Sequence, residues 1–152
     1  MDRVILNIIG MVISLYSLRV EIKKEKDPTY VAACDFNDHM SCSKVLTSKY
    51  AKGFGIMGVL FGKEHFMNQR NCNLGLVFYL LQLALVFQPY PVLASKVLFY
   101  SSIVCIIGCV YLAIVLFCIL KDVCVVCIAT YFVNGALLYL NYSLYKNVNS
   151  VF

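Results

Sequence analysis

Cys124 and Cys127 form a Cys-Val-Val-Cys tetrad that opens an apolar segment, and Cys34 and Cys42 lie in the only long polar stretch of the chain. A thiol pair at this spacing can deliver two electrons and close into a disulfide between its own sulfurs. A second pair can attack that disulfide and recharge the first. Such an exchange requires the alpha carbons to approach within about 7 Å. A four-cysteine zinc site is the competing reading, but structural zinc favours close pairs on both sides, and seven residues separate Cys34 from Cys42. No metal is expected; His39 and His65 read as solvated, with no third ligand type beside them.

The elements that must position these thiols are membrane helices. The 152 residues are 61% apolar and 14% charged, with a mean hydropathy of +0.79, far from an average soluble domain. Four stretches have the length and character of spans, at about 4–20, 74–92, 97–120 and 123–145. The first could be read as a secretory signal, but no small-residue cleavage site follows it and a charged run intervenes. Counting crossings then puts the loop at about 21–73 and the start of the fourth span on one membrane face, so both thiol pairs share it. The expected fold is all-α: a single four-transmembrane-helix bundle covering 1–152, since helices satisfy their own backbone groups in lipid. Within the loop, 53–62 is apolar and glycine-rich, too short for a span, and reads equally well as a surface anchor or as a lid over the bundle.

Charge and redox chemistry disagree about orientation. Ten of thirteen Lys and Arg residues lie on the loop face, which the positive-inside rule would make cytoplasmic. Working disulfides instead call for an oxidising space such as the endoplasmic reticulum lumen, and the loop is assigned there. The net charge of +5 reads as a headgroup-facing surface, with membrane lipid as its partner; no folded basic domain exists to bind nucleic acid.

Asp122 is placed to cap the fourth helix, with Cys124 in the first turn and Cys127 one turn deeper. The helix dipole favours a thiolate there, most strongly near the end. Cys124, Cys127, Tyr131, Asn134 and Leu138 fall on one stripe, and polar side chains at this depth face the bundle interior. That stripe describes a pocket wall that an apolar substrate could reach from the bilayer, and two-electron reduction of a quinone or an epoxide suits it. Cys105, Cys109 and Cys118 read as packing residues and Cys72 as incidental. Gln82 is expected to make an interhelical hydrogen bond. Asn141-Tyr142-Ser143 matches a glycosylation triplet but lies in the fourth helix, so no sugar is expected.

The strings Cys34-Asp35 through Ser41-Cys42-Ser43, Lys52-Gly53-Phe54-Gly55, Asn68-Gln69-Arg70-Asn71, Phe78 to Leu83 and Cys124 to Tyr131 together resemble the vitamin K epoxide reductase family, in order over about 15–145. The charged approach at 20–28 is similar to the complex subunit 1-like branch of that family. The resemblance implies that Cys127 attacks vitamin K quinone or epoxide and Cys124 resolves the adduct. It implies that Cys42 exchanges with Cys124, and that Cys34 passes electrons from a lumenal thioredoxin-like protein, so that redox-active disulfides replace any bound cofactor. Asn71 and Tyr131 match positions that hydrogen-bond the two ends of the substrate ring, and Leu74 and Phe78 match apolar contacts. The family usually has tryptophan where this chain has Tyr50 and phenylalanine where it has Leu74.

Two other readings stay open. The same scaffold could run in the opposite net direction, as a quinone-linked oxidase that forms disulfides in secreted proteins. A non-catalytic four-span scaffold would use Cys34 and Cys42 as a structural disulfide and the tetrad as packing.

Overall fold

The computed structural model describes residues 1–66 and 68–151, and these are helical and free of named strands. Four long helices form the bundle: α1 (Asp2–Lys26), α4 (Asn71–Val86), α5 (Pro91–Ile114) and α6 (Val125–Val151). Between α1 and α4 the loop carries two short helices, α2 (Cys42–Leu46) and α3 (Met57–Leu60). Helix α5 continues through a π-helical stretch, Val115–Leu120, and stops where Lys121 turns left-handed. The chain runs up and down, so the end of α1 and the starts of α4 and α6 meet at one end of the bundle.

The polarity of the bundle is inverted relative to a soluble protein. Its interior buries Asn7, Ser14, Ser17, Gln82, Ser102, Asn134 and Asn141, while Val12, Val104, Ile107 and Phe132 are exposed on its outside. Apolar side chains gain nothing from burial when lipid surrounds them, whereas polar ones must find partners inside. Gln82 donates to Ser101 Oγ at 2.8 Å, and Asn141 Nδ2 donates to Gln82 Oε1 and Ser102 Oγ, both at 2.8 Å. This network ties α4, α5 and α6 together. It also leaves Asn141 fully buried, unable to accept a sugar.

Three of the long helices can span a membrane by length and composition; α4 is the exception. Its 16 residues reach about 24 Å, short of the roughly 30 Å of a hydrocarbon core. The second span expected at 74–92 therefore starts earlier and ends sooner. Pro91 belongs to the next helix, which begins there rather than at 97, because its fixed φ and missing N–H suit a first helical position. Helix α1 outruns the expected 4–20, with Lys23, Lys24 and Lys26 in its last turn, where cations favour the helix dipole. Helices α1 and α4 approach closely because Gly10 has no side chain: a Cβ there would lie 2.4 Å from the Tyr79 ring.

Candidate active site

Helix α6 begins at Val125, and Cys124 itself occupies the capping position. The Cys127 N–H donates to Cys124 Sγ at 3.3 Å, and the Ile128 N–H donates to the Cys124 carbonyl at 3.0 Å. Asp122 does not cap the helix, contrary to the sequence expectation. It is 3% exposed and ion-pairs with Lys44 of α2 at 3.1 Å. A neighbouring backbone bond, from the Val123 N–H to the His39 carbonyl at 2.9 Å, adds a second tie between the loop and the start of α6.

These ties bring the distant cysteines together. Cys34, Cys42 and Cys124 are all buried in one apolar cluster with Val20, Val45 and Leu116, and Cys127 and Tyr131 pack against it. Cys34 and Cys42 are joined as a disulfide with alpha carbons 5.7 Å apart, whereas Cys124 and Cys127 are free thiols. Tyr16 of α1 points its hydroxyl at Cys34 Sγ, 3.7 Å away. The disulfide loop is organised by Asp35, whose carboxylate accepts from the Ser43 hydroxyl at 2.6 Å, the Ala32 N–H at 2.8 Å, the Ser43 N–H at 2.9 Å and the Ser41 hydroxyl at 3.0 Å. Partial burial pushes the Asp35 carboxyl up. Its hydrogen bonds, those from Ser43 foremost, outweigh that and hold it below its ordinary value.

Beside the cluster lies a cavity of about 140 Å³. Cys127, Tyr131 and Thr130 of α6 line one wall, and Leu112, Leu116 and Leu120 make an apolar wall. Asn71 and Tyr50 also line it. Leu74 and Phe78 lie further along α4 and do not line this cavity; Phe78 packs edge-on against Tyr79, ring centroids 5.3 Å apart. The polar end of the α6 stripe is engaged elsewhere. Asn134 accepts from the Tyr79 hydroxyl at 2.8 Å and donates to Cys109 Sγ at 3.1 Å.

On the loop side Val45, Leu46, Ser48, Tyr50 and Ala51 line the cavity and serve as its lid, and the glycine-rich turn follows directly. Gly53, Phe54 and Gly55 all have positive φ, at 52°, 57° and 74°. For phenylalanine that conformation is strained and needs outside support. Support comes from both backbone groups of Phe54: its N–H donates to Asn71 Oδ1 at 3.2 Å, and its carbonyl accepts from the Tyr111 hydroxyl at 2.9 Å. Asn71 Nδ2 donates to the Tyr50 carbonyl at 2.7 Å. The amide of Asn71 thus clips both arms of this segment to the start of α4. Beyond this turn Val59 and Leu60 are exposed, so the segment presents an apolar surface.

Three further cavity residues went unread in the sequence: Ser14, Ser17 and Glu21, which together form a polar face of α1, and beside them Cys72 of α4. Their i, i+3, i+7 spacing is the same signal that marked the α6 stripe.

A sequence profile of the Vitamin K epoxide reductase family matches residues 3–142. The chain is 40% identical over 140 residues to "Vitamin K epoxide reductase complex subunit 1" of Mus musculus, covering 92% of this chain and 86% of that protein. Against the Rattus norvegicus protein of the same name, identity is 38% with the same coverage.

Proposed function

The chain belongs to the vitamin K epoxide reductase family and is a multi-pass membrane oxidoreductase of that type; on this premise we propose how its cysteines and cavity carry out the reaction. Vitamin K epoxide enters the cavity with its ring against Cys127 and Tyr131. The Cys127 sulfur attacks the epoxide carbon, forming a C–S bond as the C–O bond breaks. Cys124 then attacks the Cys127 sulfur; the S–S bond forms, the C–S electron pair returns to the ring, and the former epoxide oxygen leaves as water with the two thiol protons. The products are the quinone and a Cys124–Cys127 disulfide. A second round at the same site takes quinone to hydroquinone.

Recharging runs through the loop. Cys42 attacks Cys124 and Cys34 then closes on Cys42, which returns two thiols to the tetrad and leaves a Cys34–Cys42 disulfide. A lumenal thioredoxin-like protein of the endoplasmic reticulum reduces that disulfide. One observation supports this reading: Cys34, Cys42 and Cys124 share a single buried cluster beside the cavity, and Cys127 packs against it and lines the cavity. Asn71 holds the lid in this closed arrangement and Tyr131 faces the substrate oxygen. Leu74 and Phe78 shape the apolar route along α4.

The test is a cysteine-to-serine series assayed with vitamin K epoxide under two reductants. Cys34→Ser and Cys42→Ser should lose activity with a protein reductant and keep it with a small membrane-permeant dithiol, which bypasses the loop. Cys124→Ser and Cys127→Ser should be inactive with both. Four variants of equal activity would sink the relay and leave a scaffold.

A further inference from the structure

Glu21 is the one acidic side chain that lines the cavity among the described residues, and it is 2% exposed. Its two oxygens are in different states. Oε2 accepts from the Cys72 thiol at 3.3 Å. Oε1 has no hydrogen-bond donor among the described residues; Arg70 Nε stands 3.3 Å away as an ion-pair partner only, and the shorter contact of that guanidinium, 2.6 Å, goes to Glu25. A buried carboxylate with an open oxygen in a largely apolar chamber is costly, so it will take a donor or a proton when one is offered.

Neither vitamin K epoxide nor the quinone has a hydrogen to donate, and the hydroquinone has two. We infer that Glu21 is the catalytic residue that hands a proton to the quinone oxygen on the α1–α4 wall during the quinone-to-hydroquinone step, an assignment that rests on the reaction proposed above. The balance is simple. As the two S–H groups of Cys124 and Cys127 become one S–S bond, two electrons pass to the ring and two protons are released. Glu21 takes up one of these protons and delivers it to the oxygen beside it, forming one hydroquinone O–H; the other proton ends on the second oxygen. Glu21 returns to its starting state. Arg70 steadies it whenever it is ionised, and the Cys72 thiol bonds Oε2, leaving Oε1 as the oxygen that carries the proton.

In the epoxide step the protons leave with the epoxide oxygen as water, and the ring carbonyls begin and end as carbonyls. Glu21 is therefore needed for one half-reaction and not for the other. This difference separates proton delivery from a structural role.

The experiment compares wild type and Glu21→Gln in lipid nanodiscs with a small dithiol reductant, measuring epoxide reduction and quinone reduction separately. Glutamine keeps the size and hydrogen-bonding capacity of the side chain but cannot carry the proton. Quinone reduction should fall about 100-fold in kcat, the size of a typical general acid–base contribution. Epoxide reduction should stay within about threefold. Alkylation of Cys127 by a neutral maleimide should proceed at the wild-type rate. Both activities falling together, or neither falling, would overturn the assignment, as would an altered Cys127 alkylation rate, since the substitution would then be acting through the fold. A wild-type protein that reduces neither compound would remove the proposed reaction itself, and this role with it. An active wild type with an unchanged ratio in Glu21→Gln would remove only the role of Glu21.

Discussion

Substituting Asn71 by alanine should open the lid, and the size of the effect follows from the bonds it makes. The amide accepts from Phe54 N–H at 3.2 Å and donates to the Tyr50 carbonyl at 2.7 Å, so Asn71→Ala removes two neutral hydrogen bonds at once. At about 1 kcal/mol net each, the closed state loses about 2 kcal/mol, which lowers the closed-to-open ratio about 30-fold. The positive φ of Phe54 adds to the loss, since the Tyr111 hydroxyl then becomes the main remaining restraint on that residue. Asn71→Asp should be no better. It keeps an acceptor for Phe54 but sets a carboxylate oxygen against the Tyr50 carbonyl. Native-state hydrogen exchange reads the effect directly: the Phe54 amide should exchange about 30-fold faster, while amides in the middle of α4 keep their protection. A Phe54 amide that exchanges at the wild-type rate in Asn71→Ala would refute the idea that this side chain latches the lid.

Two further outcomes follow from the loop and from the helix packing. The Asp35 carboxyl is held below its ordinary value, so its contribution to loop stability is complete above the unfolded carboxylate pKa of about 3.9 and is lost as pH falls through the lower folded value. The rate at which a small phosphine reduces the Cys34–Cys42 disulfide should therefore rise as pH falls from about 4 towards 2, and Asp35→Asn should be fast throughout and lack this acid-side rise. Gly10→Ala places a Cβ 2.4 Å from the Tyr79 ring, forcing α1 away from α4. Overpacking of this kind costs about 1–3 kcal/mol, visible as a lower thermal midpoint in detergent; an unchanged midpoint would show that the two helices adjust without strain.

Much of the molecule was legible before any coordinates. Hydropathy and length identified the bundle, and the parity of crossings placed both cysteine pairs on one face without any knowledge of packing. The i, i+3, i+7 stripe on α6 correctly turned Cys127 and Tyr131 toward the interior and the cavity. These are one-dimensional properties: period, length and order along the chain are enough to state them.

The rest depended on partners far apart in the sequence. The Asn71 amide clips two loop carbonyl and amide groups 17 and 21 residues away, and Cys72 reaches Glu21 across 51 residues. Asp122 looks like a helix cap from its neighbours alone, yet Lys44 claims it and leaves the capping position to Cys124. Helix α4 starts at Asn71, whose side chain holds the Tyr50 and Phe54 backbone. Composition and periodicity settled that this chain is a helical membrane protein with two thiol pairs on one side. Only the tertiary structure decided which polar groups meet in the cavity, because a hydrogen bond depends on the placement of both partners and a sequence names only one at a time.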